Sequence, residues 1–168
     1  MQRRESPLTV AIKGGIAGAI GTAVLTVAMQ RGPIVLQQLG LMETPPPGKG
    51  GEPTEKLAEK VAGGMLEQSL DAQTKQTAGE AIRWTYGAGW GALYGIVQGS
   101  LNPPHWLHGT LLGGATAIVA STLVPAMRLT PPPTAQPTAV SVSQFAYHLL
   151  YGWVTALVFR ILSRSPQE

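Results

Sequence analysis

Four long stretches of this chain carry no charged side chain; a polar segment separates the first from the second, the second and third meet at Leu101–Asn102, and Arg128 alone divides the third from the fourth. They run from Gly14 to Gln30, Trp84 to Leu101, Asn102 to Met127 and Leu129 to Phe159. The third becomes hydrophobic from Leu107 and the fourth from Val140. Each approaches the ~20 apolar residues that cross ~30 Å of hydrocarbon, the first by extending back through Val10 and the aliphatic stem of Lys13. The pattern predicts an all-α fold: an integral membrane four-helix bundle in a single domain, with spans at about 9–30, 80–101, 107–127 and 141–162. None of the runs is strongly hydrophobic. The second is rich in glycine and alanine and holds Thr85 and Gln98, so it is expected to insert as a hairpin with a neighbour. A soluble bundle with glycine-rich core helices would present much the same contact surfaces.

Glycine spacing carries the strongest signal. Gly87, Gly91, Gly95 and Gly99 recur every fourth residue, which places them on one inclined row of a helix, roughly 18 Å long at ~1.5 Å per residue. Each interior glycine costs about 0.5–1 kcal/mol relative to alanine in water, so four in one helix point to a lipid setting where a second helix approaches at backbone distance. The first run has small-residue rows at Gly14/Gly18/Thr22/Thr26 and Gly15/Ala19/Ala23, and the third has Gly109, Gly113, Ala117 and Ser121. These are expected helix-packing surfaces, as is Gly152 in the fourth. The basic start, with Arg3, Arg4 and Lys13 ahead of an apolar run, also fits a cleaved signal, although a packing surface would be wasted on a discarded peptide.

A polar insert occupies about 43–79. Pro45-Pro46-Pro47 and the following Gly-Lys-Gly-Gly predict an extended linker, and Pro53 then begins an amphipathic helix with Leu57, Val61, Met65 and Leu66 on one side. Such a helix lies on the bilayer surface or caps the bundle, with Lys56, Lys60, Glu55 and Glu59 solvated. Gly63-Gly64 is expected to interrupt it. Thr77-x-x-Glu80 reads as a capping box launching the second span, and Ser141-x-x-Gln144 as one launching the fourth.

A shift of 65 residues relates Tyr86-Gly87 to Tyr151-Gly152 and pairs Arg83 with His148, each one helical turn before the Tyr-Gly. The first and third runs are each followed by a triple proline, 45–47 and 131–133. Two repeated helical hairpins, one carrying the polar insert, account for this pattern. They would share one orientation, with both proline loops on one side. Flanking basic residues barely distinguish the two sides; the expectation is that both termini are cytoplasmic.

Composition agrees with the lipid reading and narrows the chemistry. Of 168 residues 44% are hydrophobic and 12% charged, where soluble domains average about 25% charged. The net charge of +3 comes without a Lys/Arg cluster interleaved with aromatics, so no nucleic-acid partner is expected. There is no cysteine, hence no disulfide, thiolate nucleophile or Cys-ligated metal. No Asp or Glu lies inside the four uncharged runs, which removes the usual carriers of proton or sodium coupling. His105 and His108 fall in the short loop between the second and third runs and His148 enters the fourth from the opposite surface, so no metal site is expected. No serine has His/Asp partners and no phosphate-cradling loop is visible, so neither an enzyme nor a cofactor is expected.

The order "GGIAGAIGTAVLTVAM", "PPPGKGGEPTEKLAEKVAG", "YGAGWGALYG" and "FAYHLLYGWVTALVFRIL" resembles the YagU-like group of small bacterial inner-membrane proteins of uncharacterised activity. The resemblance covers most of the chain and rests on packing motifs, none catalytic. It implies a multi-pass protein of the bacterial inner membrane, with a link to acid tolerance in one branch. The functional expectation is a structural or interaction protein of the membrane, partnered by the bilayer and by its own copies or another membrane protein. The alternative is a small channel or permease in which the ladder packs protomers around a pore, with Arg83 and His148 near its mouth.

Overall fold

A computed structural model describes residues 6–38, 52–65 and 70–164. Among them the regular structure is helical: α1 (Pro7–Gln38), α2 (Pro53–Met65), α3 (Ala72–Leu101), α4 (His105–Ala126), a 3₁₀ turn at Pro133–Ala135, and α5 (Thr138–Ser163). Arg3, Arg4, Leu66 and the first triple proline lie outside the described residues. Three segments are long and apolar enough to cross a membrane: Pro7–Gly32, His105–Ala126 and Thr138–Ser163. α3 has the length but is not among them, because its glycines, tyrosines and Gln98 contribute little hydropathy.

Several helix ends differ from expectation, for local reasons. α3 begins at Ala72, where Asp71 accepts a hydrogen bond from Thr74 N–H at 3.3 Å; the Thr74 side chain first, and this backbone bond after it, hold the Asp71 carboxyl below its usual pKa. Thr77 therefore lies inside the helix, its hydroxyl donating to Gln73 O, and is not a cap. α5 begins at Thr138, after Pro137, whose carbonyl accepts from Val140 and Ser141 N–H, so Ser141 is already helical. Gly63 and Gly64 do not break α2, which continues to Met65. His105 and His108 belong to the first turn of α4 rather than to a loop.

α1 packs along α3 and along α5, and α5 along α4, while α3 and α4 touch only sparingly. The α1–α3 pair is antiparallel: Val10 lies at Gly95 and Gly99, Gly14 between Gly91 and Gly95, Gly18 between Gly87 and Gly91, and Thr22 at Gly87. A Cβ on Gly14 would lie 2.9 Å from Gly95 Cα, and one on Gly18 2.8 Å from Gly91 Cα, so only glycine permits this approach. Backbone carbonyls of Gly14 and Gly91 each face the other residue, the arrangement that allows Cα–H···O contacts of about 0.5–1 kcal/mol. α4 and α5 meet in the same way, Gly152 lying against Gly109 and Gly113. Gly152 is thus set against two glycines of α4, as Gly91 is against Gly14 and Gly18 of α1.

α2 lies across one end of the bundle. Its Ala58 and Ala62 are buried, and Lys56 and Lys60 donate to Leu129 O at 3.4 Å and Met127 O at 2.9 Å, beyond the C-terminal end of α4. Cations there meet the negative end of the helix dipole. α4 itself stops in a Schellman arrangement, with Leu129 N–H on Val124 O, Arg128 N–H on Pro125 O, Arg128 at φ 56° and Leu129 buried.

Candidate functional site

The short connection 102–104 ties α3 to α4 at one end of the bundle. There Gln98 Nε2 donates to Pro103 O at 2.8 Å, leaving Gln98 Oε1 to accept from His108 Nδ1–H at 2.7 Å. Tyr94 stacks on His108, ring centres 4.2 Å apart, and its hydroxyl lies 3.3 Å from His105 Nδ1. This tight cluster seals that end.

At the other end the helices splay, and a cavity of about 360 Å³ opens among the C-terminal halves of α1 and α4 and the N-terminal half of α5. Leu25, Met29, Ile118, Val124 and Phe145 give it an apolar body. Its polar end is made by Gln30 of α1, Glu52 and Thr54 at the start of α2, Arg83 of α3, and Gln144 and His148 of α5. Arg83 and His148, singled out from the sequence, thus line one cavity. Arg83 forms an ion pair with Glu52. His148 Nδ1–H donates to Gln144 O at 2.7 Å, which leaves Nε2 as the nitrogen without a role in the helix. The Arg83 side chain is 25% exposed and Glu52 52%, so the pair is wet and contributes little to stability. Glu52 and Thr54 were missed from the sequence because α2 reaches the cavity by contacts across distant chain. The only local signal was an acid ahead of a helix-starting proline.

The packing glycines lie apart from this cavity. Gly87, Gly91, Gly95 and Gly99 all face α1 of their own chain, and Gly109, Gly113 and Gly152 seat α4 on α5. Among the described residues no group of three or more His, Asp or Glu gathers to hold a metal. The arrangement offers an apolar volume with a mixed-charge rim, suited to holding an amphiphile. No protein-family model matches the sequence, and comparisons with curated proteins and with solved structures found no match.

Proposed function

We propose that this chain is a four-span integral protein of the bacterial inner membrane that acts as a structural or interaction component rather than as an enzyme. α1 with α3 and α4 with α5 form its two hairpins, both termini are cytoplasmic, and α2 rests on the opposite surface. One observation carries the membrane reading. On α1 the large apolar side chains Leu8, Ile12, Ile16, Ile20, Val24 and Val27 are 38–71% exposed, while Gly14, Ala17, Gly18 and Gly21 are buried. Large side chains outside and small ones inside invert the order that water imposes and match helices packed within lipid. On α5 Trp153, Leu157 and Ile161 are likewise exposed beside buried Gly152 and Ala156, while Tyr151 and Phe159 turn inward.

α3, the least apolar of the four, then crosses beside α1, which covers its glycine row. The channel alternative used that row to join protomers, and its occupation by α1 favours the packing role. The order of motifs shared with the YagU-like group is in keeping with an inner-membrane protein.

The absence of cysteine makes topology directly testable. The protein should resist alkaline extraction from membranes, and single cysteines at Pro103 and Pro132 should be labelled from opposite sides. Release by alkali, or labelling of both from one side, would overturn the reading.

A further inference from the structure

Two chambers meet at the splayed end of the bundle. Beside the apolar cavity lies a polar recess of about 110 Å³ lined by Glu55, Gln76 and Glu80, and Gln30, Glu52 and Arg83 belong to both. The chambers therefore adjoin across the Arg83–Glu52 ion pair. The apolar one lies among α1, α4 and α5, which supply the three segments apolar enough for a membrane, and the polar one lies between the start of α2 and the N-terminal half of α3, beside Gln30 of α1. An occupant of both has an apolar tail and a polar head.

Charge selects the head. The recess presents one guanidinium and three carboxylates, Glu52, Glu55 and Glu80. A purely anionic head would meet Arg83 only by facing the carboxylates around it, and a purely cationic one would leave Arg83 unmatched. A phosphate joined to an ammonium satisfies both signs, since the phosphate takes Arg83 and the ammonium takes the carboxylate that Arg83 releases. Thr54 Oγ1, shielded from solvent and without a hydrogen-bond partner, belongs to a cavity-lining residue in the first turn of α2 and adds a donor near that phosphate.

We propose that this cleft binds a membrane lipid with a zwitterionic phosphoethanolamine headgroup, one acyl chain in the apolar chamber and the headgroup inserted at the Arg83–Glu52 pair. The volume lies within the ~300–1,000 Å³ typical of small-ligand sites. The proposal rests on the membrane reading above.

Native mass spectrometry of the full chain tests it, with phosphatidylethanolamine and phosphatidylglycerol of identical acyl chains supplied together in equal amount. Phosphatidylethanolamine should be retained about tenfold better, the discrimination one partly desolvated charge contact supplies. Ala120→Phe, which places a ring in the apolar chamber, should lose both lipids. Glu52→Gln combined with Glu80→Gln removes the carboxylate that the ammonium takes, lies outside the core and should bring the two lipids close to parity, so the test survives if the phenylalanine variant fails to fold. Equal retention by the wild type overturns the proposal, as does an unchanged preference in the double variant, lipid retained by a folded Ala120→Phe, or displacement of both lipids by a long-chain alkylammonium. A protein that resists alkaline extraction yet shows no lipid preference overturns this site alone; one that alkali releases overturns the membrane reading.

Discussion

An alanine at Gly91 would set its methyl group against the carbonyl of Gly14, 2.6 Å from Gly18 Cα and 2.7 Å from Gly18 N. All three are backbone atoms, so the helices themselves would have to part. Two residues earlier, a Cβ on Gly89 would meet nothing within 4 Å. Gly91→Ala should therefore destabilise the bundle by about 1–3 kcal/mol, as overpacking does, while Gly89→Ala should stabilise it by about 0.5–1 kcal/mol through helix propensity. Thermal melting of both in one detergent checks the pair, and the reverse order would mean that α1 does not lie in that row. Spacing of four marks the rows at Gly14/Gly18 and Gly87–Gly99 in the sequence, and it separates Gly89 from them. It does not say which row meets which. The cavity residues divide similarly: Arg83 and His148 stood out as polar residues beside apolar runs, whereas Thr54 had nothing local to mark it.

At the scale of elements, apolar runs located the helices well and their ends poorly. A cap is decided by one hydrogen bond, and Asp71 makes the one that starts α3 a full turn and more before Thr77. The position of α2 was the least legible feature, because Lys60 reaches Met127 across 67 residues of chain and no periodicity encodes that contact. The end of α4 depends on Arg128 holding a left-handed backbone, φ 56°, where glycine is the usual residue. Left-handed conformation costs a side-chain-bearing residue about 1–2 kcal/mol, and glycine gives back part of that gain as unfolded-chain entropy. Arg128→Gly should raise stability by roughly 0.5–1 kcal/mol, read as a higher melting midpoint. Asn102→Gly, at the end of α3 with φ 48°, should change it less, because asparagine already tolerates that conformation. An unchanged or lower midpoint for Arg128→Gly would mean that the arginine side chain makes a contribution larger than the strain.

For the whole molecule, the all-helical class and three membrane-length helices follow from the uncharged runs, while the wedge between α4 and its neighbours does not. That wedge is the cavity lined by the C-terminal half of α4, at the end opposite the tight 102–104 connection. The backbone contact between α1 and α3 has a mechanical consequence for this assembly. Side chains sit on the glycine row at its two ends, Val10 at Gly99 and Thr22 at Gly87, and backbone meets backbone between them; a slide of one turn, about 5.4 Å, toward the C-terminal end of α3 still sets glycine on glycine, with Thr22 at Gly91 and Gly14 between Gly95 and Gly99. The opposite slide runs Thr22 into Arg83, where the row ends. Tyr151 spans both helices: its ring lies against Gly21 of α1, and its hydroxyl donates to Gly87 O of α3 at 2.6 Å. Tyr151→Phe should cost about 0.5–1.5 kcal/mol and add a second axial position, seen as a second distance between spin labels at Leu8 and Leu101. A single, unshifted distance would show that another contact holds the axial position. The α1–α3 pair is a rail with a stop at one end, and the Tyr151 hydroxyl is its latch.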